Sequence, residues 1–340
     1  MEQRDLGKTG LKVSALGYGA GSVGGLMVRG DPAEQSRAVA RALDAGITYF
    51  DTAPGYGDGR SEENLGRALR ELNAWNRVVV GTKVRLTAAD LHDPAGSIRR
   101  SCLQSLQRLG HGAVDLLQFH NQVVLGQPDG GSGISLGYLL GGVADGLQRL
   151  VRDGLADHVG FTGLGDPGAV HEAARSGRYE TVQCYFNALN PSAGFAGASG
   201  GGRDFAGLID AAAGAGLGVI VIRALAAGAL AAQPARHPNA GDPGAPIVAG
   251  ADYARDLERA RALAPLAQEL GLDSPLELAL RFALSKPGVS TALVGYSDLG
   301  QLESAIRWAE RGPLPPEAVV RVVEGLRGEL PARPERGAGE

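Results

Sequence analysis

Cysteine is nearly missing from this chain: Cys102 and Cys184 are the only two in 340 residues. They form no C-x-x-C pair and no ligand spacing, which argues against a disulfide framework or a thiolate metal site and for a reducing, cytoplasmic setting. Charge of one sign is lacking too. Lys and Arg number 33 against 37 Asp and Glu, a formal net charge of −4, and no basic run occurs. Nucleic acid is therefore not the expected partner. Long apolar runs are absent as well. Residues 211–232 come nearest, but Arg223 and several glycines interrupt them, so a buried strand with its flanks is expected there rather than a membrane span. Residues 1–10 carry charges and no apolar core, and no signal peptide is expected. Aromatics are scarce at 5%, whereas 44% of the residues are hydrophobic. That mixture belongs to a soluble globular protein with a large core.

Glycine is what the chain has in plenty, with 53 residues concentrated between periodic segments. An early cluster, Gly19-Ala20-Gly21-Ser22-Val23-Gly24, follows a short apolar stretch and formally matches G-x-G-x-x-G, with Asp51 further on. A dinucleotide-binding Rossmann unit would open a helix at once. Here Gly25, Gly30 and Pro32 intervene, and the helical pattern starts only near residue 33, so that reading is set aside.

From residue 32 onward, short apolar runs alternate with amphipathic segments about eight times. Strands are expected at 47–50, 77–82, 114–119, 156–161, 181–185, 217–222 and 291–294, besides one at 13–18. This rhythm predicts parallel βα units closed into an α/β (β/α)8 TIM barrel, with an open doubly wound sheet as the runner-up. The barrel is expected to form one domain over residues 1–330. An N-terminal hairpin is expected at 4–13, long Gly/Pro-rich loops at 121–137, 190–202 and 233–250, an extra helix at 316–330 and a flexible tail at 331–340. Residues 253–270 read as one helix.

Polar residues mark the C-terminal ends of successive predicted strands. Asp51 follows the second, Lys83 the third and His120 the fourth, while Tyr56 stands in a Pro-Gly turn just beyond Asp51. Adjacent strands lie about 4.8 Å apart, so these four side chains can converge. A strand-end aspartate is often a turn residue and a histidine often plain packing. Four titratable groups at equivalent places on three neighbouring strands are harder to attribute to chance. A phenol exchanges protons poorly near neutrality until an adjacent ammonium stabilises its phenolate. Lys83 can supply that charge, Asp51 can hold Lys83, and His120 can orient a substrate oxygen. The set suits proton transfer at an alcohol or carbonyl oxygen.

Phe50-Asp51-Thr52-Ala53-Pro54-Gly55-Tyr56-Gly57 with Ser61-Glu62, then Gly81-Thr82-Lys83, then Asp115-Leu116-Leu117-Gln118-Phe119-His120, resemble the aldo-keto reductases over about residues 4–310. The resemblance implies a barrel with a bound nicotinamide cofactor. By it, Tyr56 is the general acid/base, Asp51 and Lys83 tune it, and His120 orients the substrate. Hydride would pass between the nicotinamide and a carbonyl or alcohol carbon of an aldehyde, ketone or sugar.

The same resemblance implies cofactor contacts. Gly19-Ala20-Gly21 would flank the nicotinamide, without the family's usual aromatic residue there. Thr162 and Gly163 would take the place of a Gly-x-Ser-Asn segment, and Gln183 matches a glutamine at the end of the sixth strand. Ile222 or Arg223 replaces a stacking tyrosine, and Arg223 suits a phosphate instead. Gly295, Ser297 and Gln301 would lie in the adenosine-phosphate loop. That loop has no cation from 295 to 306 and carries Asp298 and Glu303, which favours NAD over NADP. With Phe161-Thr162-Gly163-Leu164 it is similar to the sugar-dehydrogenase branch, the L-galactose or aldose 1-dehydrogenases. The competing readings are a non-catalytic nicotinamide-binding regulatory barrel and a cofactor-free barrel isomerase or aldolase. No metal is expected. A small-molecule carbonyl, sugar or alcohol is the expected partner, with Phe186, Phe195 and Tyr138 as pocket candidates that serve equally well as packing residues. The oligomeric state leaves no trace in the sequence.

Overall fold

The computed structural model describes residues 1–126, 133–243 and 252–327. The expected tail, the centre of the 121–137 loop and the end of the 233–250 excursion lie outside the described residues.

Eight parallel strands close into a barrel, which removes the open-sheet alternative. In chain order they are β1 (Leu16–Gly19), β2 (Tyr49–Asp51), β3 (Val79–Val84), β4 (Val114–Phe119), β5 (Ala156–Gly163), β6 (Thr181–Tyr185), β7 (Gly218–Ile222) and β8 (Val289–Gly295). β8 pairs with β1 to complete the ring. Closure leaves the barrel sheet itself without an edge. The outer helices include α1 (Pro32–Asp44), α2 (Arg60–Glu71), α3 (Pro94–Leu109), α4 (Ala144–Arg152), α5 (Pro167–Arg175), α6 (Leu208–Gly214), α7 (Pro275–Ser285) and α8 (Leu299–Glu310).

The chain's caps place the loops that join strand to helix. Asp31 accepts from Ala33 N at 2.9 Å ahead of Pro32, and Asp166 from Gly168 N at 2.8 Å ahead of Pro167. Each cap satisfies donors that the first helical turn leaves unpaired, and the proline supplies a preset φ. Asp298 does the same for α8, accepting from Gln301 N at 2.7 Å.

Side chains alternate along each strand, so β2 sends Phe50 outward under the helices and Tyr49 and Asp51 into the barrel. The interior is apolar at the N-terminal end, where Leu6 and Val13 of the Gln3–Asp5/Lys12–Ser14 hairpin meet Val79, Leu116, Ile220 and Leu293. It turns polar toward the C-terminal end, where Asp51, Lys83, Gln118 and Gln183 are all buried. Gly81 makes room in that layer, because a Cβ there would lie 2.6 Å from the Tyr49 hydroxyl.

Only a one-turn helix, Leu26–Arg29, follows the Gly19–Gly24 cluster, whose first glycine ends the barrel strand β1, so the cluster opens no Rossmann unit, as expected. Two expectations need correction. Residues 253–270 break into Tyr253–Ala262 and Ala264–Glu269, because Pro265 cannot donate the bond a continuous helix needs. The 121–137 loop contains a two-stranded parallel ladder, Gln122–Val124 with Gly133–Ser135. The final helix runs over Pro316–Arg327, and residues 328–330 of the expected helix lie outside the described residues.

Candidate active site

Asp51 is the centre of the site. Its Oδ1 accepts from the Lys83 ammonium, and both side chains are almost fully buried. Its Oδ2 accepts from Gln183 Nε2 at 2.8 Å and, more loosely, from Gln118 Nε2 and the Tyr49 hydroxyl at 3.4 Å each. Every partner is a donor, which is the arrangement an ionised carboxylate needs and a protonated one could not use fully. Burial pushes the Asp51 carboxyl up, with Lys83, Tyr49 and Gln183 opposing. Burial pulls the Lys83 ammonium down, but Asp51 and Tyr56 outweigh it and hold it above its ordinary value. The pair is charged.

Lys83 is aimed as well as charged. Its Nζ donates to Thr52 O at 2.8 Å and lies 4.8 Å from the Tyr56 ring centroid. The Tyr56 and His120 rings stand edge to face, 6.2 Å apart and perpendicular. Burial, reinforced by the nearby Lys83 and Arg85 charges, pushes His120 down to about 3. Its imidazole is therefore neutral over the physiological range, with one N–H to donate. The four residues expected from the strand ends do lie together at the C-terminal mouth.

The local frame explains how Tyr56 is held. Ser61 donates to Ala20 O at 2.7 Å and bonds the Thr52 hydroxyl at 2.7 Å, tying the loops after β1 and β2 to α2. The buried Glu62 accepts from Thr82 Oγ1 at 2.5 Å and from Arg108 Nε at 2.6 Å. Thr82 precedes Lys83, so one carboxylate links the helix that follows Tyr56 to the strand that carries Lys83.

With this geometry in view, the sequence comparison has a clear meaning: the model of the aldo/keto reductase family matches residues 15–326. The chain belongs to the aldo/keto reductase family. It is 35% identical to the L-galactose dehydrogenase of Arabidopsis thaliana over 168 residues, 48% of this chain and 49% of that protein. The match thus spans about half the length of that relative. A probable voltage-gated potassium channel subunit beta of the same plant is 26% identical over 98% of this chain and 99% of its own. A holo-form aldo-keto reductase from Bacillus halodurans superimposes with a TM-score of 0.71 at 23% identity, covering 96% of each chain, and so shares the fold.

The cofactor positions implied by family resemblance are placed unevenly. Gly19 ends β1 beside Asp51, and Ala20 donates its N–H to Asp51 O at 2.9 Å. Gly21 leaves the Tyr56 ring uncovered, since a Cβ there would come within 3.8 Å of it. Gly163 closes β5, next to Cys184 of β6. Thr162 and Gln183 face each other across those strands, with Thr162 Oγ1 donating to Gln183 Oε1 at 3.3 Å. Gln183 is thereby engaged at both ends, its amide on Asp51. Gly295 ends β8 beside Gly19. Ser297 donates its hydroxyl to Gly24 O at 2.7 Å and its N–H to Gln301 Oε1 at 2.9 Å, which locks that loop against the one after β1. Arg223 sits half-buried at the end of β7 with φ of 58°, in the left-handed region. Burial pulls it down, the nearby Tyr185 and Tyr56 oppose this, and Arg236 adds like charge. Phe186 is a packing residue, stacked on Phe282 with centroids 5.3 Å apart. Phe195 packs against the same two rings, and Tyr138 lies exposed.

Sequence reasoning missed several groups. Gln118 donates toward Asp51, and its position two residues before His120 is the signal that puts it on the same inward face. Basic side chains also reach the adenosine-side loop from distant parts of the chain. Arg41 grips Glu303 at 2.7 and 3.0 Å, and His237 stands 3.5 Å from Asp298. Arg307, one residue beyond Ile306, donates to Ser304 at 3.1 Å. Residues 233–243 run across the loop after β1, with Asn239 O accepting from Arg29 Nε at 2.8 Å and Asn239 Nδ2 donating to Ser297 O at 3.0 Å. Among the described residues no group of three or more His, Cys, Asp or Glu is placed to hold a metal. Among them, too, no helix is long and apolar enough to cross a membrane.

Proposed function

We propose that this chain is an NAD(P)-dependent oxidoreductase that interconverts a carbonyl and an alcohol on an aldehyde, ketone or sugar. The observation that carries the reading is the buried Asp51–Lys83 pair beneath Tyr56. Nothing in barrel stability requires an ammonium and a carboxylate to be desolvated together, and hydrophobic residues of similar volume serve packing as well or better. Such a pair is explained by what it does to the phenol above it.

The residues at the C-terminal mouth fit a nicotinamide dinucleotide. The bare Gly21 leaves the face of Tyr56 open, Thr162 supplies a hydroxyl for a carboxamide, and Arg223 offers a half-buried cation for a phosphate. When bound, the nicotinamide supplies or accepts the hydride. Tyr56 gives its proton to the substrate oxygen in reduction and takes it back in oxidation. Lys83 stabilises the phenolate left behind, and Asp51 keeps Lys83 charged and directed. Neutral His120 donates its N–H to the same oxygen and fixes its approach. The adenosine-side loop favours NAD, because Arg41 is already neutralised by Glu303 and Asp298 disfavours a 2′-phosphate.

The test combines binding and turnover. Calorimetric titration should give tighter binding of NADH than of NADPH, and a panel of aldoses and aldehydes should show turnover with the bound form. Tyr56→Phe should lower kcat by 10²–10⁴-fold, about the worth of general acid–base catalysis, while changing cofactor affinity little. Turnover that survives this change would remove Tyr56 from its role. The likeness to a channel subunit favours a second reading, a regulatory barrel that binds the dinucleotide without turnover. Tight cofactor binding with no substrate in the panel consumed would support it.

A further inference from the structure

Arg85 is a cation at the mouth of the site with no assigned task. β3 and β4 pair in parallel register through Lys83 with Gln118 and Val84 with Phe119. Continuing one step sets Arg85 opposite His120, and His120 N donates to Val84 O at 2.8 Å, so the pairing does continue. Alternation puts Val84 outward and Arg85 on the same face as Lys83, one strand spacing (about 4.8 Å) from His120.

The backbone under Arg85 is pinned on both sides. The buried Asn121 clamps Leu86 twice, accepting from Leu86 N at 2.9 Å and donating to Leu86 O at 2.7 Å. Arg85 itself is exposed, and among the described residues no carboxylate pairs with it. Across the mouth stands Arg223, half-buried and near Tyr56, likewise without a carboxylate partner among the described residues. Among the described residues the one buried carboxylate inside the mouth, Asp51, is already engaged by Lys83. Arg85 beside His120 and Arg223 near Tyr56 thus set two guanidinium groups about the proposed proton donor, and with Arg223 given to the cofactor Arg85 is the one left to attract an anionic substrate.

We infer that the substrate carries an anionic group, a carboxylate or a phosphate, beside the reacting carbonyl or hydroxyl, and that Arg85 binds it. This rests on the oxidoreductase reading above. Arg85 then acts as a specificity residue: with His120 holding the reacting oxygen, its guanidinium takes the charged substituent of the same molecule. A planar fork suits either anion, and bidentate contact supplies orientation as well as attraction.

The experiment uses the full chain with bound cofactor and matched substrate pairs. One pair is an aldose with its uronic acid, and the other is glyceraldehyde with its 3-phosphate. The anionic member of at least one pair should be preferred in kcat/KM by tenfold or more. In Arg85→Gln the anionic-to-neutral ratio should fall about 10- to 100-fold, the usual worth of a hydrogen bond to a charged group, mainly through KM. Arg85→Lys should recover more of the ratio for phosphate than for carboxylate, because an ammonium cannot fork. A wild-type ratio near one for both pairs, or a ratio that Arg85→Gln leaves unchanged, would overturn the inference while leaving the oxidoreductase reading intact. Turnover of neither member with either cofactor would overturn the reading itself and this inference with it.

Discussion

Acidification should expose His120 as a measurable weakness of the fold. The imidazole is pushed to about 3 by burial and by the Lys83 and Arg85 charges, whereas an unfolded histidine titrates near 6.5. Between those values the unfolded chain binds more protons than the folded one, so stability falls as pH is lowered through this window. The full effect amounts to about 1.4 kcal/mol per pH unit within the window. Between pH 7 and pH 5 it comes to about 2 kcal/mol for this one group. Buried carboxyls such as Asp51 and Asp115 are shifted upward and act in the opposite direction. The comparison must therefore be between wild type and His120→Gln rather than on wild type alone. Urea titrations at pH 7 and pH 5 should show the wild type losing about 2 kcal/mol more than His120→Gln over that interval. Equal losses in the two proteins would mean that His120 accepts a proton in the folded state near its ordinary range. The neutral hydrogen-bond donor assumed for the mechanism would then be wrong.

Two further perturbations test the frame around the site. Lys83→Met should cut turnover at least 100-fold and lower stability by about 3 kcal/mol, because it leaves the buried Asp51 carboxylate without its cation. Full activity or an unchanged urea midpoint would contradict the role given to the pair. Gly66→Ala in α2 should destabilise the protein by about 1–2 kcal/mol even though alanine is the better helix former. The added Cβ would overlap the backbone of Leu109, which has no rotamer to move away, and that overlap outweighs a helical gain of at most about 1 kcal/mol. A raised thermal midpoint would refute the close approach of α2 and α3.

The barrel and the four residues Asp51, Tyr56, Lys83 and His120 were legible in the linear chain for one physical reason. A parallel strand buried on both faces reads as a short apolar run, and a polar residue that ends such a run stands at the C-terminal mouth whatever the neighbours are. Order along the chain then implies order around the barrel. What the sequence hid was everything that depends on contact between distant segments. The engagement of Gln183 by Asp51, the third donor Gln118 and the pairing of Arg41 with Glu303 need strand register and loop packing to be seen. The sequence left Phe186 and Phe195 open between pocket wall and packing, and tertiary contacts set them against Phe282. Arg85 shows the division most plainly. Its place two residues after Lys83 is visible in the sequence, but its position opposite His120 exists only once β3 and β4 are in register. Local chemistry is written residue by residue, while electrostatic surroundings are a property of three-dimensional neighbours, and those only the closed barrel decided.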